Sequence, residues 1–253
     1  MNTSANETAY LSSEEYIAER KEKFLRGLPL LLKDVQMSIG LGPRYQSYTF
    51  KRYDVTDENR TAVEAVKQYA QAIVDNSESQ GLYLCGGVGT GKTFLAVAVA
   101  NHLLMNTLFM RAKQNDNLSI SYADGRKIPN PAYLSPVRFF CTADLLQRMK
   151  DNMFNHNDYC DVENIPEDLV KVCKKTPLLI LDDFGAEKPS DWVRERLFDI
   201  IEYRYAYCLP LIITSNLLPK EIGHTYGPRV SDRFRECCRV VSLTGNSKRT
   251  TAE

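Results

Sequence analysis

Apolar and polar positions along this chain follow two rhythms. Four short apolar runs each close on a polar or glycine-rich turn, which predicts buried strands: Leu82-Tyr83-Leu84-Cys85, Val137-Arg138-Phe139-Phe140-Cys141, Leu178-Leu179-Ile180-Leu181 and Leu209-Pro210-Leu211-Ile212-Ile213. Between them the apolar positions recur at helical spacing. Ala62, Val63, Val66, Tyr69, Ala70 and Ile73 mark a helix over residues 58–76, and the run 94–100 with Leu103 and Leu104 marks another. Leu145, Leu146, Met149 and Phe154 follow Thr142-Ala143-Asp144, a shorter helical stretch lies near 166–173, and Trp192, Val193, Leu197, Ile200 and Ile201 mark a helix over 191–206. Strands alternating with helices predict an α/β domain with a parallel sheet flanked by helices.

The ends and one insertion break this rhythm. Residues 1–11 read as disordered. Ser12 and Glu15 then offer a capping box for a charged helix running to about Arg26, which Gly27 and Pro29 are expected to end. Tyr16, Ile17, Arg20, Phe24 and Leu28 lie near one face of it. That thin stripe either packs on the main domain or binds a partner, and the sequence leaves both readings open. Residues 40–43 read as a linker, so the expected division is a helical N-terminal segment, 1–45, and a main domain, 46–253. Residues 48–55 look extended and aromatic, with Phe50, Tyr53 and Val55 either lining an adenine pocket or packing on the domain. Residues 111–136 are polar and hold three prolines, the pattern of a long functional or mobile loop. Asp124-Gly125 there would suit the turn of a small hairpin. Its Arg111, Lys113, Arg126, Lys127, Tyr122 and Tyr133 would suit a nucleic-acid strand, and a solvated insertion is the plainer alternative.

Composition narrows the classes. With 32 Lys+Arg against 32 Asp+Glu the formal charge is zero, so any nucleic-acid contact must come from a local basic patch. Seven cysteines without a Cys-x-x-Cys pair fit a reduced, cytoplasmic protein better than a disulfide or zinc framework. No apolar run is expected to reach the roughly 20 residues that cross a bilayer, so no membrane partner is expected.

The chemistry sits where strands end. Gly86-Gly87-Val88-Gly89-Thr90-Gly91-Lys92-Thr93, set between a strand and a helix, has the spacing of a phosphate-binding P-loop. Its glycines let backbone N–H groups converge on an anion, and the helix that follows adds its positive end. Lys92 would reach the β- and γ-phosphates of ATP, and the Thr93 hydroxyl would ligate Mg²⁺. Asp182 and Asp183 close the strand at 178–181 in the manner of a Walker B motif. A carboxylate at Asp182 would hold Mg²⁺ beside Thr93, and Asp183 would act as general base on the attacking water. Asn216 ends the strand after that, where a polar side chain could meet the γ-phosphate and the water.

The order P-loop, Walker B, strand–Thr214-Ser215-Asn216, then Arg229-Val230-Ser231-Asp232-Arg233-Phe234 resembles the AAA+ ATPases. More narrowly, Asp182-Asp183-Phe184-Gly185-Ala186-Glu187 and the Leu209 to Asn216 pattern resemble the DnaC/DnaI helicase loaders and the related IstB transposition ATPases, over about residues 45–249. The resemblance implies a P-loop NTPase fold without a full C-terminal lid domain. Asn216 would be the sensor-one residue. Arg233, with Arg229 second, would be an arginine finger reaching a neighbour's nucleotide, and Arg249 the sensor-two arginine. The implied function is that of an ATPase that delivers a replicative helicase to single-stranded DNA and self-associates through its nucleotide interfaces. The alternative is an IstB-like transposition helper binding DNA and a transposase. The long 111–136 insertion and the short N-terminal segment depart from the plain family pattern.

Overall fold

The computed structural model describes residues 13–77, 80–114, 116–126, 131–154, 168–187, 189–245 and 247. In chain order the elements are α1 (Ser13–Ser38), α2 (Arg60–Val74), β1 (Gly81–Gly86), α3 (Lys92–Gln114), α4 (Asp116–Ala123), β2 (Val137–Cys141) and α5 (Thr142–Phe154). There follow α6 (Leu169–Lys175), β3 (Leu178–Phe184), α7 (Asp191–Ala206), β4 (Leu211–Ser215), α8 (Pro219–Tyr226), α9 (Pro228–Cys237) and β5 (Cys238–Leu243). The strands form one sheet in the order β2-β3-β4-β1-β5, with every neighbouring pair parallel.

A parallel sheet needs cover on both faces, and the two-residue period of the strands divides the core accordingly. Leu82 and Leu84 of β1, Leu178 and Ile180 of β3 and Ile212 of β4 pack beneath α1, α2 and α3. Tyr83, Cys85, Leu179, Leu181, Leu211 and Ile213 face the other way, against α5 to α9. The parallel α/β class expected from the alternating pattern is the observed one.

Several local expectations need correction. The first helix does not stop at Gly27 and Pro29 but runs on to Ser38. Leu28 before the proline and Leu31, Val35 and Ile39 after it are all buried, at helical spacing, and that burial outweighs the one helical hydrogen bond Pro29 cannot donate. Gly27 serves contact rather than termination. A Cβ there would collide with the carbonyl of Ser119 on α4, so the glycine is what lets the two helices cross closely. The expected linker at 40–43 is packed as well: Leu41 is buried, and the N–H of Phe139 on the edge strand donates to the Ile39 carbonyl at 3.1 Å. Packing therefore continues without a break across the boundary expected near residue 45.

The insertion is helical where a loop or hairpin was expected. α3 runs on to Gln114, and Ser119, Ile120 and Tyr122 of α4 are buried, with Ser119 Oγ donating to the Phe24 carbonyl on α1 at 2.6 Å. Residues 48–55 form turns rather than an extended segment. Tyr48 stacks on Phe94 at 4.2 Å, and Tyr53 meets the same ring edge-on at 5.3 Å. α3 also corrects the membrane expectation. By length and composition it could cross a bilayer, but most of its apolar side chains lie buried in the core of this fold.

Candidate nucleotide site at the strand ends

β1 delivers the chain into the loop 86–91, and α3 begins at Lys92. Lys92 is buried, and its Nζ donates to the carbonyls of Gly86 and Gly87 at 2.8 and 2.7 Å. The Thr90 hydroxyl donates to the Gly87 carbonyl at 2.9 Å, holding the loop closed on itself. From outside the loop, Tyr53 donates its hydroxyl to the Thr90 carbonyl at 3.1 Å. Tyr53 is thus a packed support of the loop, while Val55 is exposed.

β3 carries Asp182 to the same edge of the sheet. Its carboxyl is buried, accepts from the Thr214 hydroxyl on β4 at 2.6 Å, and faces the Thr93 hydroxyl at the start of α3. Burial pushes Asp182 above the usual carboxylate range, the hydrogen bonds from Thr214 and Thr93 and the charge of Lys92 pulling part of the way back. A buried carboxylate and a hydroxyl facing it are hard oxygen donors, and they fit a magnesium ion that keeps most of its waters. Lys92, its Nζ resting on carbonyls of the glycine-rich loop, fits a phosphate partner.

Asp183 follows in a left-handed conformation, φ +55°, at a shift in the β3–β4 register between Leu181 and Phe184. Its N–H donates to Thr214 Oγ at 2.9 Å, so one hydroxyl joins both acids, and its side chain is exposed. Ser215 pairs in register with Cys85, which sets the exposed Asn216 level with Gly86, the first residue of the loop. Gly86 to Thr93, Asp182, Asp183 and Asn216 thus gather at the carboxyl ends of three adjacent strands, where ligands of open α/β sheets bind.

Arg233 stands apart from that cluster. It is on α9, beside the last turn of α7, which leads the chain back toward the opposite end of the sheet. Its guanidinium donates to Glu202 at 2.6 and 3.3 Å and to Glu236 at 2.8 Å, and it lies 4.4 Å from the centre of the Tyr205 ring. Those carboxylates hold it above its ordinary value. Arg229, one turn earlier, is exposed. Ser12, Lys127, Ile128 and Arg249 lie outside the described residues. The segment before Arg249 does reach the loop: Ser247 packs on Gly89 so closely that a side chain there would collide with it.

Three contributors went unread in the sequence. Thr214 is signalled only by a hydroxyl one residue inside a buried strand. β5 is short and half exposed, with Val240-Val241 its only strand signal. Glu187 accepts the Gly185 N–H at 3.1 Å and the Tyr226 hydroxyl at 2.8 Å. Burial pushes its carboxyl above the usual range.

No family model matches the chain. It is 28% identical over 197 residues to the replicative helicase loader DnaI of Bacillus subtilis strain 168, covering 76% of this chain and 52% of DnaI. It therefore spans about half the length of that relative. Against the replicative helicase loader DnaC of Escherichia coli K12 it is 26% identical over 236 residues, covering 90% of this chain and 82% of DnaC. A crystal structure of the DnaC helicase loader superposes with a TM-score of 0.57 at 25% identity, covering 80% of this chain and all of that one. By sequence and by fold the chain is similar to the DnaC and DnaI helicase loaders, and its parallel sheet with flanking helices is the fold of that DnaC structure.

Proposed function

We propose that the chain binds ATP with Mg²⁺, hydrolyses it, and acts in the cytoplasm as a loader that brings a replicative helicase to single-stranded DNA. One observation carries the nucleotide reading. Thr93 and Asp182, from motifs far apart in sequence, face each other beside the loop whose carbonyls hold Lys92. In this reading the loop amides and Lys92 bind the triphosphate, and Thr93 and Asp182 hold the magnesium ion. Asp183 draws the proton from the attacking water, and Asn216 orients that water. The magnesium ion supplies neutralisation of the phosphate charge.

Arg233 lies away from its own loop, which supports a role toward the nucleotide of an adjoining copy, with self-association completing the site. Arg249 is assigned to the nucleotide of its own loop, since Ser247, two residues before it, packs on Gly89. The DnaI and DnaC relatives are named replicative helicase loaders, which favours that partner over a transposase.

The outer face of α1 carries exposed Tyr16 and Ile17, at 53% and 64%. It is the surface we assign to the helicase. Deleting residues 1–45 would remove Leu31, Val35, Ile39 and Leu41 from the core, so point changes make the better test. The full chain should capture the host's replicative helicase in the presence of ATP. Tyr16→Glu with Ile17→Glu should weaken that capture by about tenfold, leaving ATP affinity alone. Capture of a transposase instead, or helicase capture indifferent to both changes, would sink the reading.

A further inference from the structure

The end of β3 has to present Asp183 in a backbone conformation that non-glycine residues rarely adopt, and Gly185 follows in the turn at φ +98°. Such a turn keeps its shape only where its surroundings overdetermine it. Two of its anchors come from β4: Thr214 Oγ takes the Asp183 N–H, and Ser215 Oγ donates to the Phe184 carbonyl at 2.6 Å. The third is Glu187. One carboxylate oxygen accepts from the Gly185 N–H, and the other accepts from the hydroxyl of Tyr226, the last residue of α8.

Tyr226 is itself buried, with its ring 5.0 Å from that of Phe184. Phe184 in turn meets Phe234 of α9 at 5.3 Å, next to Arg233. Among the described residues Glu187 makes no ion pair, and both donors that reach its oxygens are neutral. A half-buried carboxylate with no cation is costly to keep unless both of its acceptors are needed.

We infer that Glu187 is a positioning residue for ATP hydrolysis: its carboxylate, bridging the Gly185 N–H and the Tyr226 hydroxyl, fixes the turn that presents Asp183 and fastens that turn to α8 and α9. The inference rests on the hydrolytic reading of Asp182 and Asp183 given above. Glu187 touches neither the P-loop nor Lys92 in this arrangement, so its loss should slow the chemical step and spare nucleotide binding. Glutamine can accept the Gly185 N–H with its carbonyl and present its amide to the Tyr226 oxygen, and so should largely substitute.

The test is steady-state ATP turnover of the full chain with single-stranded DNA, beside ATP affinity by titration. Glu187→Ala should lower kcat by about tenfold or more with KM and affinity within about twofold of wild type. Glu187→Gln should stay within about threefold of wild type. Tyr226→Phe, which keeps the ring on Phe184, should lower kcat by about threefold, and the pair Glu187→Ala with Tyr226→Phe should be no slower than Glu187→Ala alone. If Glu187→Ala does not fold, Tyr226→Phe carries the test by its kcat at unchanged KM. Unchanged kcat in the variants, KM rising in step with the loss, or a glutamine variant no better than alanine overturns the inference. A wild-type chain that hydrolyses no ATP overturns the hydrolytic reading and this inference with it. Normal wild-type turnover that Glu187→Ala retains overturns this inference alone.

Discussion

Arg204 is 1% exposed and has no carboxylate beside it among the described residues. Its guanidinium is held by main-chain carbonyls instead: Cys173 and Thr176 at 2.8 Å, Pro177 at 3.0 Å and Pro210 at 2.5 Å. Burial lowers it to about 10, so it stays charged at neutral pH. One side chain thereby ties the turn before β3 to the turn before β4, setting how the Walker B strand lies against its neighbour. Arg204→Met would fill the volume and take a charged donor from each of these carbonyls, an expected cost of about 3 kcal/mol or more in chemical denaturation. A loss under about 0.5 kcal/mol would mean the carbonyls find other donors. Nothing in the sequence marks this residue, because an arginine in a helix looks like any surface cation until its acceptors are known. Lys92, Thr93 and Asp182 are the opposite case. Spacing within the chain and the strand before each motif locate them, since their chemistry needs a fixed turn. Thr214 and Glu187 fall between, their roles set by a register shift and a tertiary contact that no local pattern encodes.

Helices α1 and α4 meet through their smallest residues, Gly27 lying on the Ser119 carbonyl. Deeper in the molecule α1 is joined to α3 by two buried amides. Gln36 Nε2 donates to Asn101 Oδ1 at 2.8 Å, and Asn101 Nδ2 donates to the carbonyls of Tyr45 and Tyr48 at 3.1 and 2.8 Å. The surface we assign to the helicase is therefore rooted on the helix that begins at Lys92. Gly27→Ala tests the crossing. Helix propensity alone favours alanine by about 1 kcal/mol, yet the collision with Ser119 should reverse the sign and cost about 1–3 kcal/mol. Hydrogen exchange should then speed up in α4 and the first half of α1 and stay slow in the sheet; slower exchange in α4 would show that the crossing has slack. The misreading of Gly27 and Pro29 as a helix end has the same origin. Gly-x-Pro is a stop signal locally, and the buried series Leu28, Leu31, Val35 and Ile39 was the competing signal that prevailed. The insertion was unreadable for a related reason: its apolar positions are few, and they become a helix face only when α1 lies opposite.

At the scale of the whole molecule, the sheet order puts β1 between β4 and β5 and keeps β3 next to β4. The tips bearing Gly86, Asp182 and Asn216 therefore sit side by side. Those tips were legible strand by strand; their order, and the edge strand β5, came only with the structure, since crossover topology and a half-exposed strand leave little trace in local sequence. Arg233 shows what the isolated chain cannot do with its own parts. It is held by Glu202 and Glu236 beside Tyr205, away from the loop that starts at Gly86, so a role in hydrolysis requires a second copy. Partly exposed pairs of this kind are weak enough for a neighbour's phosphates to displace. Arg233→Ala should keep ATP affinity within about twofold and lose most DNA-stimulated turnover, trans arginines elsewhere being worth about 10³–10⁵ in rate. Lys92→Ala should bind no ATP and turn over none. Mixed together, the two inactive variants should recover turnover that rises with total concentration, because a Lys92 loop from one then meets an Arg233 from the other. A mixture as silent as its components would place the arginine outside the reaction, and a chain whose Arg233→Ala variant hydrolyses ATP normally would have no need of a neighbour at all.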